Sequence, residues 1–156
     1  IFSGTVNSDG YNIDEVQICA VLKKHPNIIE TYGIVDGAPN NQMAMLMELI
    51  PDSYKKLSDP PSFETCTRDV YPNVSRFTDK IAIKILDGVK KSLNHMHKFN
   101  ISNGDVYGHN ILFDLEGNIK LGDFGAATKY SDDEKDIREQ MDLRALRVLS
   151  DELMAN

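Results

Sequence analysis

The chain has 156 residues, 41% of them hydrophobic and 26% charged, with a net charge of −7 at pH 7. That is ordinary globular composition, long enough for one real core or a small two-lobed body. The acidic balance argues against a nucleic-acid or anionic-membrane surface, and no apolar run approaches membrane-spanning length. Without a basic-then-apolar signal segment, a cytoplasmic, intracellular setting is expected. Ile1 stands where a Met would start a gene product, so a fragment or trimmed chain is expected. Cys19 and Cys66 are too few for a disulfide framework and form no Cys-x-x-Cys pair, which excludes the usual zinc spacing.

Taken in order, residues 1–10 read as the tail of a strand and a Ser8-Asp9-Gly10 turn. Asn12 is placed to cap a helix over Ile13–Lys23, apolar through Val16, Ile18, Cys19, Val21 and Leu22. Asp14 and Glu15 suit the positive end of that helix. Strands are expected at Glu30–Val35 and Met43–Ile50, joined by a turn over 36–41. From Pro51 to Phe77 the breaks at Pro60-Pro61 and Tyr71-Pro72-Asn73 read as a linker between a small sheet lobe and a helical lobe.

Thr78 then caps a helix to about Lys98, with Ile81, Ile85, Val89, Leu93 and Met96 on one core face. His95 and His97 point in different directions on it, so surface or end-capping roles are expected rather than a metal pair. Toward the end, SDDEKDIREQ is expected to stay solvated, with Thr128, Tyr130 and Ser131 as loop hydroxyls. A last helix is expected over Met141–Leu153, where Ala145, Leu146, Leu149 and Leu153 share a face.

Between these helices lies the most informative stretch, ISNGDVYGHNILFDLEGNIKLGDFG, residues 101–125. Two apolar runs, 111–113 and 119–121, flank a Gly/Asn-bearing turn and predict a β-hairpin. The hairpin returns Asp123 beside Asn110, giving two hard oxygen ligands of the kind Mg²⁺ takes alongside water and phosphate. Asp105, five residues before Asn110, is placed to orient a hydroxyl for attack.

Asp105-x-x-x-x-Asn110 followed by Asp123-Phe124-Gly125 resembles the catalytic loop and metal-binding motif of protein kinases. The resemblance implies an α+β, two-lobed protein-kinase-like fold in a single domain. About 1–50 would be a partial small lobe, 51–77 hinge and linker, and 78–156 a partial helical lobe. It implies MgATP as cofactor and a protein Ser, Thr or Tyr hydroxyl as acceptor. Asp105 would orient that hydroxyl, while Asn110 and Asp123 hold Mg²⁺ between the phosphates. His25-Pro26-Asn27-Ile28-Ile29 is similar to the segment after the kinase C-helix, which puts Glu15 at the glutamate that pairs with a strand lysine. MLMELIP is similar to the strand entering the hinge, with Met47 as gatekeeper and the backbone of Glu48 and Ile50 facing adenine. Leu112, Phe124 and Gly125 complete the nucleotide side. Asp142 matches the buried aspartate that accepts backbone N–H bonds from the catalytic loop.

The departures from the family pattern matter. No Gly-rich loop or strand lysine is found, the usual His-Arg-Asp reads Asn103-Gly104-Asp105, and the Ala-Pro-Glu anchor is missing. Tyr107 stands where lysine or alanine is usual, leaving Tyr107 or His109 to meet the transferred phosphate. Weak activity or none is therefore expected from these residues alone. A non-catalytic pseudokinase module and a small-molecule phosphotransferase of the aminoglycoside or choline type are the alternatives.

Overall fold

A computed structural model describes residues 12–35, 44–64, 69–71 and 77–155. Expectations for residues 1–10, the 36–41 turn, Cys66 and the Pro72-Asn73 break lie outside them. The first helix, α1 (Asn12–Leu22), buries Val16, Ile18, Cys19 and Leu22 as its apolar run requires. Strands β1 (Thr31–Val35) and β2 (Ala44–Met47) pair antiparallel, slightly shorter than the sequence implies, with a register shift between Thr31 and Gly33.

The linker is less irregular than expected. Its short strand β3 (Lys55–Lys56) pairs with β5 (Ile111–Phe113), the first arm of the predicted hairpin, and β5 pairs with β6 (Ile119–Leu121). Proline breaks at Pro60-Pro61 end this pairing but do not prevent it, because a two-residue strand needs no long apolar pattern to form. Beyond it, Asp59 and Val70 exchange backbone hydrogen bonds of 2.8 and 3.0 Å. The free edge of β6 is filled by the His-Pro-Asn-Ile-Ile segment. Leu121 N–H donates to the Asn27 carbonyl at 2.8 Å, and Ile29 N–H donates to Leu121 at 3.0 Å.

Behind this sheet runs α2 (Asp79–His97), capped by the Thr78 side chain as predicted. Ile85, Val89, Leu93 and Met96 are buried against Ile111, Ile119 and Leu121. Full burial of one such side chain is worth about 1.5–3 kcal/mol. Gly88 lets the helix approach closely: a Cβ there would lie 2.5 Å from Ile119 Cγ1. The chain then forms β4 (Ile101–Ser102), which pairs with β7 (Thr128–Lys129).

The last helix, α3 (Lys135–Met154), starts six residues before the apolar stripe that predicted it. A hydrophobic pattern finds the buried stripe, whereas the charged first turns are set by local bonds. Ser131 Oγ donates to Glu134 Oε2 at 3.1 Å, Ser131 N–H reaches the same oxygen, and Arg138 pairs with Glu134 one turn on. Leu149 and Leu153 are buried, with Ala145 and Leu146 packed beside them. Tyr130 is also buried, contrary to its reading as a solvated hydroxyl; its OH donates to Glu139 at 2.8 Å. Among the described residues no helix is long and apolar enough to cross a membrane.

Candidate active site

The loop between β4 and β5 carries the site, and it is fixed from behind. Asp142, on α3 and 1% exposed, accepts hydrogen bonds from the backbone N–H groups of Asn103 (2.9 Å) and Gly104 (3.0 Å). His97 Nε2 lies 2.9 Å from the same carboxylate. An ionised carboxylate only accepts, so Nε2 is the protonated ring nitrogen. In place of the surface or end-capping role expected for His97, its partly buried ring braces Asp142. His95 does cap an end, that of α1: its Nε2 meets the Leu22 carbonyl at 2.6 Å.

Gly104 turns the loop at φ 76°, where a Cβ would stand 2.7 Å from the Ala126 carbonyl oxygen. Past that turn, Asn103 Oδ1 accepts from Asp105 N–H at 3.1 Å. Asn110 then bonds back across the loop, its Nδ2 donating to Asp105 Oδ2 at 2.8 Å and to the Asp105 carbonyl at 3.1 Å. The amide nitrogen is thereby committed to Asp105, leaving Oδ1 as the acceptor of that side chain.

The hairpin brings its far end back as predicted. Gly122 N–H donates to the Asn110 carbonyl at 3.1 Å, so Asp123 is the next residue along from that contact. Asp123 is exposed and sits at φ 54°, a left-handed conformation that an aspartate tolerates. Phe124, by contrast, is buried at 1% exposure and anchors the turn in the core. Oxygen donors from an amide and a carboxylate fit Mg²⁺, which binds protein through one or two such groups and leaves the rest to water and phosphate. Among the described residues no cluster of three His, Cys, Asp or Glu side chains offers a richer cage.

Glu15 reaches the same turn from α1, its Oε1 accepting the Phe124 N–H at 3.4 Å. Burial pushes its carboxyl above the ordinary range, and the negative charge of Asp123 adds to that, against the lowering effect of the Phe124 bond. Gly125 N–H closes the turn on Asp123 Oδ1 at 3.3 Å.

Met47, Glu48 and Ile50 lie on or just past a different sheet, and an ion pair ties it to the hairpin. Met47 ends β2 opposite Thr31, and Glu48 N–H continues the sheet by donating to the Glu30 carbonyl at 2.8 Å. Glu48's carboxylate takes Lys120 Nζ at 2.7 Å and the Glu30 N–H at 3.2 Å. Burial alone would raise that carboxyl, but the Lys120 ammonium and the Glu30 N–H outweigh it and hold it below its ordinary range. Lys120 is the cross-strand partner of Leu112, so Leu112 and Glu48 flank the same lysine. Ile50 is half-buried beyond them.

Two residues were not legible as part of this site. Asn27 latches the hairpin edge, and Ser92 Oγ donates to its carbonyl at 3.0 Å. Asp69, in the linker, accepts from Gly108 N–H and lies 2.6 Å from His109 Nδ1. A lone acid in a loop carries no periodic or spacing signal that would have singled it out.

The sequence model described as Protein kinase domain matches residues 5–152. Similar curated proteins include Serine/threonine-protein kinase GRIK2 of Arabidopsis thaliana, 26% identical over 125 residues, or 80% of this chain and 27% of that protein. Serine/threonine-protein kinase PrkC of Bacillus subtilis is 31% identical over 107 residues, covering 69% of this chain and 14% of that protein. Mitogen-activated protein kinase kinase kinase 3 of Homo sapiens is 27% identical over 115 residues, 74% of this chain and 16% of that protein. The chain spans well under a third of the length of these relatives. With an aspartate-braced loop, a returning hairpin and a family match over nearly its whole length, this chain belongs to the protein kinase superfamily.

Proposed function

We propose that this chain forms the nucleotide-facing part of a protein kinase that transfers the γ-phosphate of MgATP to a Ser, Thr or Tyr hydroxyl of a partner protein inside the cell. The single observation that carries the reading is the closed Asp105–Asn110 pair lying against the residue before Asp123. On this reading residues 1–50, 51–77 and 78–156 are a partial small lobe, the hinge with its linker, and a partial helical lobe of one domain.

In phosphoryl transfer the protein works mainly by positioning and by neutralising charge. Asn110 and Asp123 are the residues that would hold Mg²⁺, which when bound offsets charge on the phosphates. Asp105, oriented by Asn110 Nδ2 and by its own backbone bond to Asn103, receives the acceptor hydroxyl through a carboxylate oxygen. Glu15 stands ready for a cation near the Phe124 turn. Met47, Glu48, Ile50 and Leu112 would border adenine, and Phe124 and Gly125 would set the metal-side turn.

The test is γ-phosphate transfer by the full-length protein and its Asp105→Asn variant. A fall of about 10²–10³-fold is expected, the usual effect of losing one transition-state contact. Equal transfer by both would remove Asp105 from its role. A non-catalytic module is the second reading, favoured by Tyr107 at a loop position where lysine or alanine is usual. It predicts no thermal shift with MgATP, and none with ATP plus chelator, from a folded sample.

A further inference from the structure

Asp69 is an anomaly in its setting: a carboxylate with no exposed surface, carried by a linker, and facing the loop that bears Asn110. Burying a carboxylate is costly unless donors meet it. Two donors do. Its Oδ2 accepts from Gly108 N–H and its Oδ1 lies against His109 Nδ1, each at 2.6 Å. Gly108 opens the 3₁₀ turn Gly108–Asn110, and no side chain of its own loop caps that turn. The first N–H of a helical turn has no partner within the turn. Asp69 supplies that partner from outside, and its second oxygen fixes the next side chain along.

The surrounding packing is tight enough to hold this arrangement. A Cβ on Gly108 would meet Ser58 Oγ at 2.6 Å and Tyr71 OH at 2.9 Å. Tyr71 OH is itself bonded to Glu152 of α3 at 2.8 Å. The linker, the loop and the last helix therefore meet at one glycine. Because an ionised carboxylate only accepts, the proton on Nδ1 of His109 belongs to the bond with Asp69. The remaining ring nitrogen, Nε2, makes no hydrogen bond among the described residues, and the ring keeps 22% of its surface open.

We propose that Asp69 is a positioning residue of the candidate transfer loop: it holds His109 with Nδ1 protonated and Nε2 outward, and sets the turn that aims Asn110. Nε2 is then a polar atom of fixed tautomer on the residue next to Asn110. The proposal rests on the kinase reading for what Asn110 does, but the geometry can be tested without it.

The informative variant is Asp69→Asn. Asparagine offers one acceptor and one donor where two donors point in, so its oxygen must take Gly108 N–H and its NH₂ must face Nδ1. That reverses the ring. In nitrogen-15 spectra of the 156-residue chain at about pH 9, above the ordinary imidazole range, the wild-type His109 is expected in the Nδ1–H form. Asp69→Asn is expected to move it to the Nε2–H form and to shift the Asn110 side-chain amide. An Nε2–H wild type, or a variant that leaves both signals in place, overturns the proposal. If Asp69→Asn does not fold, the wild-type ring form decides alone. In a full-length protein that is active, the variant should lower kcat about 10²-fold with KM for ATP nearly unchanged, the cost of a misplaced loop. MgATP leaving the wild-type Asn110 amide unmoved would defeat the kinase reading and leave the Asp69 assignment intact.

Discussion

The hairpin β5–β6 and the two-stranded sheet β1–β2 are both antiparallel pairs a few residues long, yet their surroundings could hardly differ. The hairpin is held on one edge by β3, on the other by Asn27 and Ile29, and from below by α2. Its loop is braced by Asp142. The β1–β2 pair leaves Tyr32, Ile34, Val35 and Leu46 exposed, and Lys120 to Glu48 is its ion pair to the hairpin. The loops carrying Asp105, Asn110 and Asp123 flank the enclosed pair. The open pair has large apolar side chains left to solvent.

The contrast is sharpest under substitution. Asp142→Ala removes the acceptor for two backbone N–H groups and for His97, and should cost about 3 kcal/mol or more in denaturant unfolding. Gly88→Val pushes a branched side chain into Ile119 and should cost about 1–3 kcal/mol by the same measurement. Lys120→Met cuts the tie between the two regions. Both partners are partly solvated, so about 1 kcal/mol is expected. A loss from Lys120→Met as large as that from Asp142→Ala would break the comparison.

The same tie has an acid signature. Glu48's folded pKa lies below its ordinary 4.5, so its stabilising share is present above that value and lost as pH falls through the folded one. Acid titration from about pH 5 to pH 3 should therefore weaken the wild type more than Lys120→Met, read as the change in unfolding free energy. Equal pH slopes for the two proteins would show that Lys120 is not what lowers Glu48.

Much of the enclosed half was readable because its signals are local. The hairpin turn, the Thr78 cap and the α2 stripe each lie within one stretch of chain, and the return of Asp123 toward Asn110 follows from the hairpin. What escaped depends on partners distant in sequence. Asp69 reaches His109 forty residues away, and His97 finds Asp142, whose own place the resemblance had given, forty-five residues away. The charged start of α3 was missed for a different reason. Its Ser131–Glu134 capping spacing was present, but it precedes no apolar run, so hydrophobic periodicity gave it no weight.

The Asn27 latch has a mechanical consequence for α1. Two backbone bonds join residues 27–29 to Leu121, while α1 ends at Leu22 and the chain turns left-handed at Lys23. Only residues 23–26 separate the end of α1 from that latch, and His95 holds the Leu22 carbonyl at the same end. Because Glu15 reaches the turn at Phe124 from the same helix that buries Ile18, Cys19 and Leu22 in the core, α1 ties that turn to the sheet beneath it.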